Sequence, residues 1–373
     1  MKTKIITPLG AVLSLLVTLG SKHSAAALAR LLIIGLAALA ASPGASAASS
    51  STGGGTIYYL GPWKDTTSGG NSVMTTMNSD GSNKTQLPGL GMFGYPSWAL
   101  HNNHRWFIYT YPITGQYYPN GIQRSEVFAL RDDFVNPLNN NGNTIVQLTG
   151  DITLQPSVGS TDWVPGDQLI SFNARRWSSA DPDATVVEGG IYTASLVFGG
   201  DGNIIGLAAQ PTAPAIPFPL VESAPGDLWP DLLYYSWAPT GDMVTYSNYA
   251  DNELWVADLL NAHRRIYRGQ AHAPQWSPDG LKIAFSNGRG ISTIKPDGSG
   301  RKATLIIANT SPWGFSHPYW SPSASHIVYI GQLSGSNMDV FQATASGGNK
   351  VNLTNTPYPF NEYLHPGSGG GWR

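Results

Sequence analysis

Five residues have types and spacing that suit ligand chemistry. His317 stands before Pro318 and three residues ahead of Trp320, and His365 stands before Pro366 in Leu364-His365-Pro366-Gly367-Ser368, which aligns with Ser316 to Trp320. Tyr95 and Tyr234 hold the same position ahead of Trp98 and Trp237, and His272 lies one residue earlier relative to Trp276. Imidazole ligates divalent metals, holds anions when charged and moves protons near neutral pH, and phenols add hydrogen bonds. His317, His365, Tyr95, Tyr234 and His272 are therefore the candidate ligand-binding set at one mouth of a central channel. No acid or Arg is evident among them as a partner, so no catalytic residue is assigned. The competing expectation is a ring of His and Tyr that packs and binds channel water.

Other candidates are weaker. His101 and His104 flank Asn102-Asn103 in a turn, where the pair could chelate a metal, but a solvated hairpin tip accounts for them better. His263 falls in a turn beside Arg264 and Arg265, and His326 opens a strand. Asp181, Asp183 and Glu188 lack the glycine and terminal bidentate Glu of a calcium loop, which points to solvation. Tyr111, Tyr117, Tyr118 and Trp177 sit in insertions, where aromatics either recognise partners or tuck inward as loop anchors.

Residues 271–305 define the element that must position these side chains. Ala273 to Trp276 is a strand, and Ser277-Pro278-Asp279-Gly280 a tight turn in which Pro presets φ, Asp caps and Gly takes positive φ. Lys282 to Phe285 is a second strand with Ile283 and Phe285 on one face, and Asn287-Gly288 signals a hairpin. Ile291 to Ile294, a turn at Lys295 to Ser299, and Arg301 to Leu305 complete four antiparallel strands, one propeller blade. The unit recurs around Trp98, Trp163, Trp237, Trp276 and Trp320, spaced 65, 74, 39 and 44 residues apart. The short spacings match a four-stranded blade and the long ones carry insertions, 112–124 and 175–189, and a Pro-rich connection, 208–231. Blades two to six are expected at 94–149, 158–209, 232–267, 271–306 and 317–354. Blade one starts at its second strand, with strands at 56–60, 72–77 and 84–87, and its missing strand is expected from the tail around His365. The fold class is therefore all-β, a six-bladed β-propeller whose first blade is closed by the C-terminal strand.

Residues 1–47 read as a signal peptide: Lys2 and Lys4, two apolar pieces, and Ala45-Ser46-Ala47 as a cleavage site. Neither apolar piece reaches the ~20 residues that span a bilayer, so no stable membrane insertion is expected. Residues 48–55 are a flexible linker and 56–373 the propeller. Cleavage removes four of the 21 basic residues and none of the 23 acidic ones, leaving a formal charge of −6. That balance argues against nucleic acid. With no cysteine in the chain, disulfides, thiolate nucleophiles and Cys-bound zinc are excluded.

Trp-Ser-Pro-Asp-Gly at 276–280, the Ile283-Ala284-Phe285 strand, the Asp297-Gly298-Ser299 turn and the final strand resemble the TolB-type propeller of periplasmic proteins, and Gly348 to Thr354 and Asp80 to Leu87 echo its last turn and strand. The resemblance implies a six-bladed wheel in the periplasm or outside the cell. It lacks TolB's additional N-terminal domain, so that protein's envelope-complex role does not transfer directly. Related propellers gate serine peptidases, which need a G-x-S-x-G elbow that this sequence does not contain. Two functions follow as expectations. The first is a non-catalytic, monomeric scaffold that binds an envelope protein or glycan and needs no cofactor. The alternative resembles oligogalacturonate lyase: a channel site using a divalent metal for lyase or hydrolase chemistry on carbohydrate.

Overall fold

The computed structural model describes residues 55–62, 72–91, 97–101, 104–118, 121–131, 145–218, 232–248, 253–299, 303–308, 317–332, 338–355 and 372. The chain divides into Met1–Ser46 and Ala47–Arg373, and all described residues belong to the second unit. Every regular element among them is a strand, and no helix among them is long and apolar enough to cross a membrane.

The strands form six sheets, the blades of a six-bladed β-propeller. Blade one contains β1 (Thr56–Pro62), β2 (Ser72–Asn78) and β3 (Thr85–Gly91). Blade two contains β4 (Ser97–His101), β5 (His104–Tyr117), β6 (Gln123–Arg131) and β7 (Ile145–Gln147). Blade three contains β8 (Leu154–Trp163), β9 (Leu169–Trp177), β10 (Val186–Phe198), β11 (Ile204–Leu207) and β12 (Ile216–Pro217). Blade four contains β13 (Leu232–Trp237), β14 (Met243–Asn248), β15 (Leu254–Asp258) and β16 (His263–Tyr267). Blade five contains β17 (His272–Trp276), β18 (Ile283–Asn287), β19 (Gly290–Ile294) and β20 (Thr304–Ala308). Blade six contains β21 (Tyr319–Trp320), β22 (His326–Gln332), β23 (Met338–Thr344) and β24 (Val351–Asn352). All pairings are antiparallel, in the order expected of consecutive hairpins.

The turns behave as their chemistry requires. Ser277 Oγ donates to Asp279 Oδ1 (2.6 Å) and accepts from Lys282 N (2.9 Å), while Asp279 Oδ1 also accepts from Leu281 N (3.0 Å). The Ser277 hydroxyl, helped by the Leu281 amide, holds the Asp279 carboxyl below its ordinary range. In blade six Ser321 Oγ repeats the pattern, accepting from Ser325 N and His326 N at 3.1 and 3.0 Å.

The core lies between blade faces. Trp106, Ile108 and Val127 of blade two meet Trp163, Ile170 and Phe172 of blade three, and similar clusters join blades four to five and five to six. The recurring Trp stitches its own blade to the preceding one. The Trp98 ring lies 4.3 Å from that of Tyr58. Trp237 Nε1 donates to Ser171 Oγ (2.8 Å), and Trp320 Nε1 donates to the Gln275 carbonyl (3.1 Å).

Two features differ from the sequence expectation. Blade three begins at Leu154 rather than 158, and its connection to blade four is not wholly a linker: Ile216–Pro217 adds to β10 as a fifth strand. That approach is close. A Cβ on Gly190 (φ 155°) would stand 2.2 Å from the Ile216 carbonyl, so only glycine fits. The tail expectation falls on residues 364–368, outside the described residues. Trp372, further along, makes an isolated antiparallel bridge to Ile57 and is buried with Ile57, Tyr59, Tyr319 and Val328.

Candidate functional site

The chain traverses each blade from its first strand outward, so first-strand starts, second hairpins and blade-to-blade links fall at one end of the wheel. In blade two Ser97 pairs with Ile108, whereas Tyr111 pairs with Glu126 beyond the start of β4. In blade three Leu154 and Glu188 both pair with Arg176, placing the 178–185 turn at this same end. The long loops and the described channel candidates His272, Tyr234 and His317 therefore share one face.

At the axis, blades three, four and six converge. The Tyr234 and His317 rings lie 5.9 Å apart although blade five separates them in the chain. Both are half-buried, three residues ahead of their Trp. One side-chain step further in, two residues and about 7 Å along the strand, are Asp162 and Tyr319, which are 2% and 3% exposed. Burial, reinforced by the nearby Asp162 carboxylate, raises the Tyr319 and Tyr235 phenols well above their ordinary value. They act as neutral hydrogen-bonding groups: Tyr235 OH and Ser171 Oγ share a hydrogen bond of 2.9 Å. Asp162 Oδ1 accepts the Trp163 amide at 2.8 Å. His317 and Tyr234 thus stand at the axial rim, and the Asp162 carboxylate acts on two phenols that are packed between blades, Tyr319 in the core shared with blade one and Tyr235 against Ser171 of blade three. The rim is strained. His317 (φ 36°) and Ala273 (φ 48°) are left-handed and each precedes a Pro, a position that favours extended backbone.

At the same end of the wheel, the loops of blades two and three form a cross-linked platform. Arg176 Nη1 donates to Asp151 Oδ2 (2.7 Å) and Thr153 Oγ1 (3.1 Å), Nε to Glu188 Oε1 (3.1 Å) and Nη2 to the Pro211 carbonyl (2.6 Å). One guanidinium therefore ties β9 to the β7–β8 link, to β10 and to the blade-four connection. Arg124 binds Glu126, Gln116 Oε1 (3.0 Å) and the Gly150 carbonyl (2.8 Å), fixing the β5–β6 hairpin. Glu126 is fully buried, its oxygens held by Arg124 and Thr149. Burial raises its carboxyl despite those bonds. Burial would also raise Asp151, but Arg176 and Thr153 outweigh it and hold that carboxyl low. Both acids are consumed by the scaffold.

The two fates open to the loop aromatics are both realised. Tyr118 is 2% exposed and donates to the Ser125 carbonyl (2.5 Å), and Trp177 is buried with Nε1 donating to Gln155 Oε1 (3.0 Å). Tyr117 projects 60% exposed, accompanied by Ile152 and Val187. Tyr111 is 39% exposed beside Tyr109 and Phe128.

Of the five predicted ligand residues, Tyr234 and His317 come together, and His272 starts β17, half-buried, its pKa lowered by burial. Tyr95 and His365 lie outside the described residues. Asp162 was missed, and it supplies the acid that seemed absent from the axis. Its signal was its place immediately before Trp163, where other blades carry Ser97, Ser236, Gln275 and Tyr319. His101 is not a solvated tip: it packs 5.2 Å from Trp163 and 4.7 Å from Phe198, because β4 turns its end toward blade three. His263 opens β16 rather than lying in a turn, and its Nδ1 bonds Tyr246 OH (2.8 Å). Glu188 leaves the Asp181 loop for Arg176. Among the described residues no three His, Cys, Asp or Glu are grouped to hold a metal.

No family model matches the sequence, and no curated protein matches it. Similar solved structures include a TolB-designated protein from Agrobacterium tumefaciens (13% identity, 81% of this chain and 89% of that one, TM-score 0.47). They also include TolB from Acinetobacter baumannii (14%, 80% and 69%, TM-score 0.43) and the periplasmic gluconolactonase of Pseudomonas aeruginosa (11%, 86% and 98%, TM-score 0.42).

Proposed function

We propose that this chain is an exported, non-catalytic binding propeller of the cell envelope that presents its loop-bearing end to a protein or glycan. The supporting observation is the platform itself. Ion pairs of Arg124 and Arg176 hold loops from two blades in place while Tyr117, Ile152 and Val187 stay exposed. Preorganised loops lose little entropy on binding, and a rigid exposed Tyr is a strong contact residue. Only neutral or solvated side chains are left free to engage a partner there, since the buried acids already have their bonds. The test is affinity capture from envelope extract and titration with peptidoglycan fragments, comparing the parent protein with Tyr117→Ala/Val187→Asp. Both sites are exposed, so the variant folds. A bound species lost with the variant supports the reading, and one retained unchanged refutes it.

Asp162 favours a second reading, channel chemistry on a carbohydrate, because an acid whose charge acts on Tyr319, two residues after His317, is one element such chemistry requires. Turnover of an oligouronate with added divalent metal, abolished by Asp162→Asn, would establish it.

A further inference from the structure

We propose a second binding site on the rim of the wheel: the outer groove between blades four and five takes an anionic glycan, a hydroxylated chain bearing carboxylates. The groove consists of two adjoining cavities of about 570 and 470 Å³ that share Tyr267. The first is lined by Arg264, Arg265, Arg268 and the Asp297-Gly298 turn. The second is lined by Gln270, Asn287, Arg289, Ser292 and Leu305. The lining includes the turns at both ends of β19, Asn287 to Arg289 and Asp297-Gly298, which its five residues hold about 17 Å apart, a span that suits an extended oligomer rather than one small ion.

The charges there are unusual for an acidic protein. Arg265 is neutralised by Glu253 (2.7 Å). Arg264 is held by two backbone carbonyls, those of Pro296 (2.9 Å) and Asp297, and faces the Asp297 carboxylate without a direct ion pair to it. The side chains of Arg268 and Arg289 make no hydrogen bond or ion pair among the described residues; the Arg289 backbone amide donates to Asn287 Oδ1 (2.9 Å). Lys295 adds a further positive charge near Asp297. The opposing acid is Asp297, whose carboxylate is engaged by the Ser299 amide (2.8 Å) in its own turn. Cationic forks therefore sit at both ends of the groove, matched to carboxylates by bidentate geometry. Between them stand the Tyr267 ring and the exposed Gln270 amide, groups that stack on and hydrogen-bond to sugar rings, above Asn287 and Ser292, which are buried and bonded to each other (2.8 Å).

The probe is a galacturonate hexamer, with its methyl ester as a neutral control carrying the same hydroxyls. Calorimetry on the full protein should show the hexamer binding at least tenfold more tightly than the ester. Arg268→Ala/Arg289→Ala should weaken it at least tenfold, with an unchanged unfolding temperature because both side chains are exposed. Tyr117→Ala/Val187→Asp should leave it unaffected, which separates this site from the platform. Equal affinity for the ester, unaltered binding by the Arg variant, no binding of the hexamer at millimolar concentration, or tighter binding of single-stranded DNA or anionic vesicles would each overturn the proposal.

Discussion

Replacing Trp372 with Ala should cost about 3–4 kcal/mol of stability. The ring is 5% exposed, packs with Ile57, Tyr59, Met77 and Tyr319, and bridges Ile57 on the free edge of blade one. Burying a ring of about 200 Å² at about 25 cal/mol per Å² gives roughly 5 kcal/mol. The denatured chain already covers part of that area, which lowers the figure to about 3–4 kcal/mol, within the range found for Trp→Ala in cores. The indole N–H has no hydrogen-bond partner among the described residues, so Trp372→Phe forfeits only part of the ring, about 1 kcal/mol. Urea denaturation by fluorescence and circular dichroism measures both, with size-exclusion chromatography reporting association through the uncovered β1 edge. If Trp372→Ala lies within about 0.5 kcal/mol of the parent, the ordinary scatter of surface substitutions, the tail does not seal blade one.

Arg124→Ala strands the buried Glu126 carboxylate and should cost about 3–5 kcal/mol, part of it recovered by adding Glu126→Gln; an additive double mutant would contradict the coupling. Gly290→Ala should cost upward of about 2 kcal/mol, because its Cβ would meet the Ile307 carbonyl at 2.0 Å with φ at 133°, whereas Gly115→Ala, which meets nothing within 4 Å, should lose only about 1 kcal/mol of left-handed strain; thermal melts compare them. Burial lowers the pKa of both His263 and His272, so the unfolded chain takes up protons first. Stability should therefore fall as pH drops below about 6.5, by at most about 1.4 kcal/mol per pH unit for each His until its folded pKa is passed. His272→Gln should flatten that slope, and an unchanged slope in urea titrations between neutral and mildly acidic pH would count against its burial.

The blades were legible because their determinants are local. Period-2 alternation from Lys282 to Phe285 and the Ser277-to-Gly280 turn depend on neighbours a few residues away, and β18 and its turn appear where those signals stand. Even blade one, lacking a first strand in sequence, shows β1 to β3 within a few residues of expectation. Side-chain direction in insertions was not legible. Tyr117 and Tyr118 are adjacent, yet one is exposed and the other buried, and only the Ser125 carbonyl on the returning strand decides which. β12 was hidden for the same reason, since Ile216–Pro217 pairs only because Gly190 lets it approach.

By itself the sequence determined the repeating unit, the number of blades and where in the chain the insertions fall, all consequences of turn chemistry and strand alternation. Tertiary structure alone decided that Asp162 of blade three stands near Tyr319 of blade six, that Tyr234 meets His317, and that Arg268 and Arg289 border one groove. Those neighbours are set by how six sheets pack around an axis, and packing over such separations leaves no periodic trace in the chain.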